Sequence, residues 1–437
     1  ERLAAERIGP PARVLGQARD ASAQRAAVDA RLAEPLTAEN AIEVALMNQP
    51  ALQARLAELG LAEADLVQAG RLRNPVFAYS NKRHADVVEI ERAVLVNVAA
   101  LVMMPLALDI GERHFEQAKL VAAADVVQAA GAVRQAWIRA VAAQERLAYD
   151  EQVMRAAEAA SELARRMAEV GNFSKLAQLR EHAFYADAAA ALARSRHLAL
   201  VERERLARLL GLADGGASLR LPPRLPDLPA SAIEGGASEQ VAMDRRLDVR
   251  IASAEVESLA KSLGLMRATR FVNVLEVGYA NTSATGEPRA DGYEIEVELP
   301  LFDFGDAKVA RAEMRYRQAL AAVADVAVSA RSEVREAYSA YRTALDLARH
   351  HRDEIVPLRR QIADEMLLRY NGMLTGVFDL LADARVQAAT VAAAIDATRD
   401  FWLAESALQL ALAGRSAGAM PVIGRASTPA AESAGGH

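Results

Sequence analysis

The chain has 437 residues, enough for two or three ordinary domains or for one large repeated one. Its formal net charge of −6 gives no reason to expect nucleic acid as a partner. It has 0 cysteines, which excludes disulfides, thiol catalysis and cysteine metal ligands. Hydrophobic residues make up 52% of the chain but aromatic residues only 5%, and the alanine that fills the difference suits long helices packed closely side by side.

The N-terminal region predicts an arm, a helix and a pair of strands. Residues 1–35 are polar and alanine-rich, so we expect an extended or loosely attached arm. No signal peptide is recognisable at Glu1, as expected of a mature or trimmed chain. An amphipathic helix over 51–70 then precedes two strands, over about 74–82 and 87–98.

The longest stretch without charge, Ala93–Leu108, is too short for a membrane-spanning helix, which needs about 20 apolar residues. It also contains Asn97 and Pro105, so we expect a core helix or a pair of strand-like pieces. A membrane protein is not excluded by this, because a tilted barrel strand crosses a bilayer with only about 9–11 residues.

Two long helices are predicted after these strands, over about 111–170 and 173–210. At about 1.5 Å per residue they would be roughly 90 Å and 55–60 Å long. Helices of this length need a coiled-coil partner to cover their apolar stripe. The proline- and glycine-rich residues 213–236 then predict a linker.

The second half of the chain repeats the order of elements of the first. Strands over about 270–281 and 292–299 precede long helices over about 305–370 and 374–413. The second half also carries a coiled-coil seam, in which small or apolar residues recur every three or four positions: Ala330, Val334, Ala337, Tyr341, Ala344 and Ala348. Pro357 lies farther along the same run and should kink or interrupt the helix.

The two halves also agree residue by residue at one constant offset. Val133–Trp137 matches Val334–Tyr338 in pattern, and glycine-then-hydroxyl breaks follow at equal distance along both long helices. We therefore predict an internal duplication, with one repeat over 36–212 and the other over 237–414. A disordered tail over 415–437 completes the predicted organisation.

The strand over 292–299, GYEIEVEL, has two chemically different faces. Its apolar residues alternate with Glu294, Glu296 and Glu298, and most of the preceding strand alternates in a similar way. In a barrel wall one face of each strand meets lipid and the other meets the lumen. Four strands are too few to close a barrel, but several chains could pool them. The alternative is an ordinary amphipathic sheet with one solvated face.

Three features together resemble the TolC family of outer-membrane efflux factors over residues 36–414. They are the duplicated layout, the turn PLFDFGD at Pro300–Asp306 before a long helix, and the segment IVPLRRQIADEMLLRYNG at 355–372 before another helix. The resemblance implies a mainly α fold with a β-barrel part, built from an internally duplicated helix-strand-strand-helix-helix arrangement. It implies a long α-helical coiled-coil barrel and a trimeric, twelve-stranded outer-membrane β-barrel with four strands per chain.

The resemblance also implies a function. The chain would be the outer-membrane channel of a tripartite efflux system in a Gram-negative bacterium, extending into the periplasm. It would form a passive homotrimeric duct, in contact with outer-membrane lipid, with a periplasmic adaptor (membrane fusion) protein and with an inner-membrane pump of the RND type or similar. One subgroup of the family carries a lipid on an N-terminal cysteine. Here that cysteine was either lost by trimming or the anchor is absent.

Members of the family narrow their periplasmic end with acidic residues just after the second-half turn. Here Asp379 and Asp383 lie four residues apart and share a helix face, which makes them the gate candidates. The first acid falls a residue or two later than the family pattern, so which of the two lines the pore stays open. The alternative is a solvated helix face, with Asp383 beside Arg385.

The tips of the long helices are the expected docking surface for the adaptor. The alternative is that they only make the turns, with glycine supplying a positive φ and the hydroxyl capping the next helix. The two interpretations are compatible, because a turn exposed at the end of a tube is also a contact surface. The candidate docking residues are Gly171, Asn172 and Ser174 in the first half and Gly372, Leu374 and Thr375 in the second.

No enzyme motif accompanies these features. The chain has no HExxH, no GxSxG and no phosphate-binding glycine loop, and the adjacent His350 and His351 point to different helix faces. We therefore expect no catalysis, no cofactor and no metal site. Acidic lumen residues would suit cationic cargo, including copper or other heavy-metal ions, but the cargo itself is not readable from the sequence.

Two other functional classes remain. The first is a non-pore periplasmic coiled-coil scaffold protein, and the second is a soluble helical binding module. Both account for the coiled-coil seams. Neither accounts for two amphipathic strand pairs at matching positions in the two halves.

Overall fold

The computed structural model of the chain describes Ala4, Arg7 and residues 21–213, 216, 219–233, 246–269, 275–298 and 302–415. The chain is mainly helical with one small sheet, as expected. The helices are α1 (Ala21–Leu32), α2 (Ala38–Asn48), α3 (Pro50–Ala69), α4 (Val98–Glu169), α5 (Lys175–Leu209), α6 (Leu247–Thr269), α7 (Asp306–His350), α8 (Val356–Asn371) and α9 (Val377–Ala413). The strands are β1 (Val76–His84), β2 (Val87–Asn97), β3 (Leu275–Ala284) and β4 (Ala290–Val297).

Several sequence predictions fall partly outside these residues. They are most of the N-terminal arm before residue 21, the start of the third strand at 270–274, Leu299 at the end of the fourth, Pro300 and Leu301 of the turn, residues 214, 215, 217, 218 and 234–236 of the linker, and the tail over 416–437.

The first long helix begins earlier than the sequence predicts. Asn97, the last residue of β2, accepts a hydrogen bond through its side-chain oxygen from the backbone N–H of Ala100 at 2.7 Å. This is the bond by which an N-cap residue satisfies a free helical donor, so α4 starts at Val98 and not near 111. The stretch Ala93–Leu108 is therefore strand up to Asn97 and helix beyond it, and Pro105 lies inside the helix.

The N-terminal region contains a helix where an extended or loosely attached arm was expected. In α1, Val28 and Leu32 are buried, and Arg31 makes an ion pair of 2.5 Å with Glu43 of α2. An alanine-rich helix that buries two aliphatic side chains and pairs its charge is held against its neighbour, which the polar composition alone did not reveal.

The chain forms two compact units that draw on both predicted repeats. The helical unit comprises Glu1–Gln53, Ala124–Arg246 and Ala330–His437. The strand unit comprises Ala54–Ala123 and Leu247–Ser329. Each unit thus combines segments from both halves of the chain.

In the strand unit the strands form an antiparallel sheet in the order β1-β2-β3-β4, so β1 and β4 are its edges. The register places apolar side chains in rows across the sheet, for example Phe77, Val94, Tyr279 and Tyr293. Because side chains alternate between faces, the opposite face carries a polar row. That row contains Asn97, Glu276 and Glu296.

The helical unit is built around the predicted coiled-coil seam. All six seam residues from Ala330 to Ala348 are buried, so this prediction is confirmed. Tyr341 is 1% exposed and packs on Phe401 of α9, with ring centroids 5.8 Å apart. Its hydroxyl accepts a hydrogen bond of 3.0 Å from the backbone N–H of Ile233, which ties the linker to this core.

The interruption expected at Pro357 takes the form of a π-helical turn. Residues His351–Ile355 are π-helical between α7 and α8, and the proline follows within the first turn of α8. Proline has no backbone N–H, and in the first turn of a helix that group would have no intrahelical partner in any case.

Throughout the described residues, no helix is both long enough and apolar enough to cross a membrane.

Candidate functional site

The first helix tip is a tight turn closed by two backbone hydrogen bonds. The N–H of Asn172 donates to the carbonyl of Met167 at 2.9 Å, and that of Gly171 donates to Ala168 at 3.1 Å. This pair of bonds is a Schellman motif, in which the residue after the cap adopts a left-handed conformation. Gly171 supplies it, with φ of +77°. Ser174 then caps α5, because its hydroxyl accepts from the N–H of Ala177 at 3.1 Å.

The second helix tip has the same turn with different residues. The N–H of Leu374 donates to Arg369 at 2.9 Å, and that of Met373 donates to Tyr370 at 3.0 Å. The left-handed residue is therefore Met373, with φ of +57°, whereas the φ of Gly372 is −79°. The expectation that glycine supplies the positive φ is correct at the first tip and wrong at the second, where the turn lies one residue later relative to the glycine.

The hydroxyl of the second tip also has another role than expected. The N-cap of α9 is Gly376, which has no side chain to cap the helix. The hydroxyl of Thr375 donates instead to the carboxylate of Asp379 at 2.9 Å. Asp379 lies in the first turn of α9, where the helix dipole favours a negative charge, so this gate candidate also stabilises the start of its own helix.

The two tips are neighbours in the structure. Phe173 belongs to the first tip, and Phe378 lies at the start of α9. The centroids of their rings are 6.4 Å apart. The guanidinium of Arg180 on α5 lies 5.8 Å from the centroid of the Phe378 ring. Met373 is 93% exposed and Leu374 is 80% exposed beside this aromatic pair. The structure therefore brings the docking candidates of both halves into one surface with exposed apolar side chains.

Asp379 and Asp383 lie one turn apart on α9, which bears out the expectation that they share a helix face. Asp379 is exposed and Asp383 is partly buried. Among the described residues Asp383 makes no ion pair. The alternative of a contact with Arg385 is not realised, because residues two apart on a helix point to different faces.

Arg385 forms an ion pair of 3.2 Å with Glu181 on α5. The Glu181 side chain is fully buried, and its second carboxylate oxygen has no hydrogen-bond partner. The same guanidinium lies 5.6 Å from the centroid of the Phe184 ring. This pair joins α5 to α9 near the tips, and the sequence interpretation missed it. The available signal was a glutamate on the buried stripe of α5, which continues through Ala188, Leu192 and Ser195.

The predicted lumen-facing glutamates are on the strand unit. Glu294 and Glu296 alternate along β4 with Tyr293 and Ile295, and they therefore point to the opposite face from these apolar residues. Glu298 follows the end of the strand. Tyr293 is 83% exposed, so the apolar face of the sheet is uncovered in the single chain.

Within the described residues, no group of three or more histidine, aspartate or glutamate side chains could hold a metal ion. His350 and His351, which the sequence analysis had set aside, lie at the start of the π-helical turn, and the first of them contacts Glu354 at 3.1 Å.

Proteins of known structure share this fold. A membrane protein from Pseudomonas aeruginosa aligns with a TM-score of 0.73 and 19% identity, over 86% of this chain and 93% of that chain. The outer-membrane channel OprN aligns with a TM-score of 0.72 and 19% identity, over 88% of this chain and 91% of that one. The outer-membrane protein VceC from Vibrio cholerae aligns with a TM-score of 0.71 and 16% identity, over 86% and 96%.

No protein-family model matches the chain, and no curated protein matches its sequence. The structural likeness therefore carries the assignment, and at these identities it establishes the fold. The fold of the chain is that of the TolC-family outer-membrane efflux channels, which confirms the resemblance given by the duplicated sequence pattern.

Proposed function

We propose that the chain is the outer-membrane channel of a tripartite efflux system. Three copies would form one passive duct. Their strand units would together form a barrel in the outer membrane, and their helical units would extend into the periplasm. A periplasmic adaptor and an inner-membrane pump of the RND type or similar would complete the system and supply the energy. The duct itself performs no catalysis.

The observation that carries this proposal is the four-stranded sheet with two open edges and an uncovered apolar face. Among the described residues, strands β1 and β4 each have one neighbouring strand, so each outer edge offers unpaired backbone groups. An aromatic and aliphatic row faces one side and glutamates face the other. Pairing the β4 edge of one copy with the β1 edge of the next would satisfy the backbone and place the apolar face against lipid.

The joined helix tips support adaptor docking. Apolar residues as exposed as Met373 and Leu374 mark contact surfaces when they are clustered, and here they are next to the Phe173–Phe378 pair. The docking surface would comprise the exposed backbone and side chains of both turns: Gly171, Asn172, Ser174, Gly372, Leu374 and Thr375.

The gate would be formed by Asp379 and Asp383. Three copies of this pair around one axis would repel one another and attract cations. The ion pair between Glu181 and Arg385 would hold α9 against α5 in the resting arrangement. Docking of the adaptor would shift this balance and widen the opening.

The experiment that tests the duct is the mass of the detergent-purified chain, by light scattering, together with current measurements in a planar bilayer. We expect a trimer of 46.9 kDa chains that conducts. A protein that stays monomeric without detergent and does not conduct would point to a periplasmic scaffold instead.

The gate is tested separately by Asp379→Asn and Asp383→Asn. Removing carboxylates that narrow and charge the opening should raise single-channel conductance roughly twofold or more and weaken cation preference. The single variants identify which carboxylate lines the pore. Asp364→Asn on α8 is the control, because it makes the same charge change at an exposed position outside the pair. Conductance equal to that of the control in both variants would rule out this gate.

A further inference from the structure

The helical unit contains a cavity of about 350 Å³ lined by arginines. Arg139 of α4 lies there with Arg205 and Arg208 of α5, and Gln135 contributes an amide. The remaining lining residues are Gln128, Ala132, Leu209 and Leu410. The cavity is distinct from the helix tips, since Arg139 precedes Gly171 by about nine helical turns.

Across the residues described, no guanidinium of the three cavity arginines makes an ion pair or a hydrogen bond. The side chain of Gln135 makes none either, although this residue is only 9% exposed. Burial lowers the pKa of the Arg139 guanidinium below its ordinary value, and the positive field of Arg205 lowers it further. The carboxylate of Glu202 acts on the pKa of Arg139 in the opposite direction but does not outweigh these two causes. Arg139 is half-buried, whereas Arg205 and Arg208 are exposed, so the cavity presents a cluster of accessible guanidiniums to which an anion would add a favourable charge interaction.

The duplicated architecture does not require these arginines. The counterpart of Arg139 in the second half is Ala340. Because the turn of the second tip lies one residue later than the glycine match predicts, the counterparts of Arg205 and Arg208 beyond the tip are Ala407 and Leu410. The second half thus folds into the same helices with no charge at any of the three positions. The cluster is a property of the first half alone, and a packing role common to both halves does not explain it.

The cavity lies on the side of α4 that faces away from Trp137. The indole N–H of Trp137 donates to the carbonyl of Leu36 at 2.7 Å, so the tryptophan side of the helix is covered by the segment before α2. Arg139 lies two residues after Trp137, and Gln135 lies two residues before it. At about 100° per residue both are on the side of the helix opposite Trp137. The arginines are therefore accessible from the side of the helical layer that the N-terminal segment leaves free.

We propose that this cavity binds an oxyanion, the phosphate or carboxylate group of an anionic cargo molecule. The guanidinium forks match such groups in shape and charge, and the Gln135 amide adds a neutral donor. The inference rests on the proposed duct, and it places a cationic band inside the duct beyond the acidic tips. The cargo would then carry negative charge, in contrast to the cationic cargo that Asp379 and Asp383 suggest on their own.

The first test is binding of inorganic pyrophosphate to the detergent-purified full chain by calorimetry. We expect binding that weakens at least tenfold in the triple variant Arg139→Gln, Arg205→Gln, Arg208→Gln, because each glutamine keeps much of the side-chain length but loses the charge. The control is Arg331→Gln, Arg335→Gln, Arg342→Gln, which removes three exposed arginines of α7. Equal affinity in the two triple variants, or no binding to the unmodified chain, would overturn the proposal.

The second test is the reversal potential in a salt gradient across a planar bilayer. The arginine-to-glutamine variant should shift ion preference towards cations relative to the control. If the unmodified chain forms no channel, the proposed duct fails, while pyrophosphate binding still decides the site. A conducting channel with unchanged preference and unchanged binding refutes the anion site alone. Loss of the trimer in the cavity variant would show that the arginines contact another copy of the chain, which also refutes the site.

Discussion

The two helix tips have the same backbone turn and different means of stabilising it. At the first tip a glycine takes the left-handed position and a serine caps the following helix. At the second tip Met373 takes that position, which costs a non-glycine residue about 1–2 kcal/mol, and α9 begins without a side-chain cap. The two tips thus share a geometry, and the second tip lacks two local stabilising features that the first tip has.

This difference suggests which tip moves. A segment with a strained residue and an uncapped helix opens at a lower free energy than one with neither. The second tip also carries both gate candidates and is held to α5 by the pair between Arg385 and Glu181. We infer that the first half provides the fixed side of the opening and the second half the displaceable side.

The largest expected effect comes from removing the link between the two tips. Arg385→Ala leaves the carboxylate of Glu181 buried and unpaired, and breaking such a pair destabilises a protein by about 3–5 kcal/mol. We expect a lower unfolding temperature by circular dichroism in detergent, and a larger open probability in a bilayer.

Two further variants control this prediction. Arg369→Ala breaks an ion pair with Glu365 whose side chains are both largely exposed, so it should change stability by less than about 1 kcal/mol. The double variant Arg385→Ala, Glu181→Leu should recover much of the stability, because no charge is then left buried. If Arg385→Ala behaves like Arg369→Ala, the link does not hold the tips together.

A second prediction contrasts the two matched glycines. Gly171→Ala places a side chain at a φ of +77° with nothing within 4 Å, so only the backbone conformation opposes it, and we expect a net loss of about 1 kcal/mol. Gly372→Ala is made at a φ of −79°, where alanine is allowed, and its Cβ would meet the Leu368 carbonyl at 3.4 Å. It should stabilise by about 0.5 kcal/mol through the unfolded state.

The sign of the effect is the useful observation here. Thermal unfolding of the two alanine variants should move in opposite directions from the unmodified chain. Losses of equal size would mean that both glycines, and not Met373, carry the left-handed turn.

The sequence was sufficient for features that repeat or that follow a regular period. The seam from Ala330 to Ala348 and the alternation along β4 are periodic, and the breaks near Gly171 and Gly372 repeat between the two halves. Each of these features was found in the structure. A period reports which face of an element is buried without any knowledge of its partner. These signals and their order carried the resemblance to the TolC family, and that resemblance implied the fold class.

Features that depend on a distant partner were missed. Arg385 and Glu181 are 204 positions apart, and nothing local to either residue indicates the pair. Residue choice at a turn was also misjudged, since the glycine at 372 is adjacent to the left-handed position but does not occupy it. The start of α4 was missed because the capping residue, Asn97, is itself the end of a strand.

The smallest expected effect distinguishes the two hydroxyl groups at the tips. Ser174→Ala removes an N-cap hydrogen bond of 3.1 Å and should cost about 1 kcal/mol. Thr375→Ala removes only an exposed bond to Asp379, so we expect about half that loss in unfolding experiments.

Thr375→Ala also frees the Asp379 carboxylate to turn towards the opening. The serine variant should therefore lower stability with little effect on channel current. The threonine variant should lower stability less, but it should change the ion preference of the channel. If the two variants change current equally, the hydroxyl of Thr375 does not position the gate.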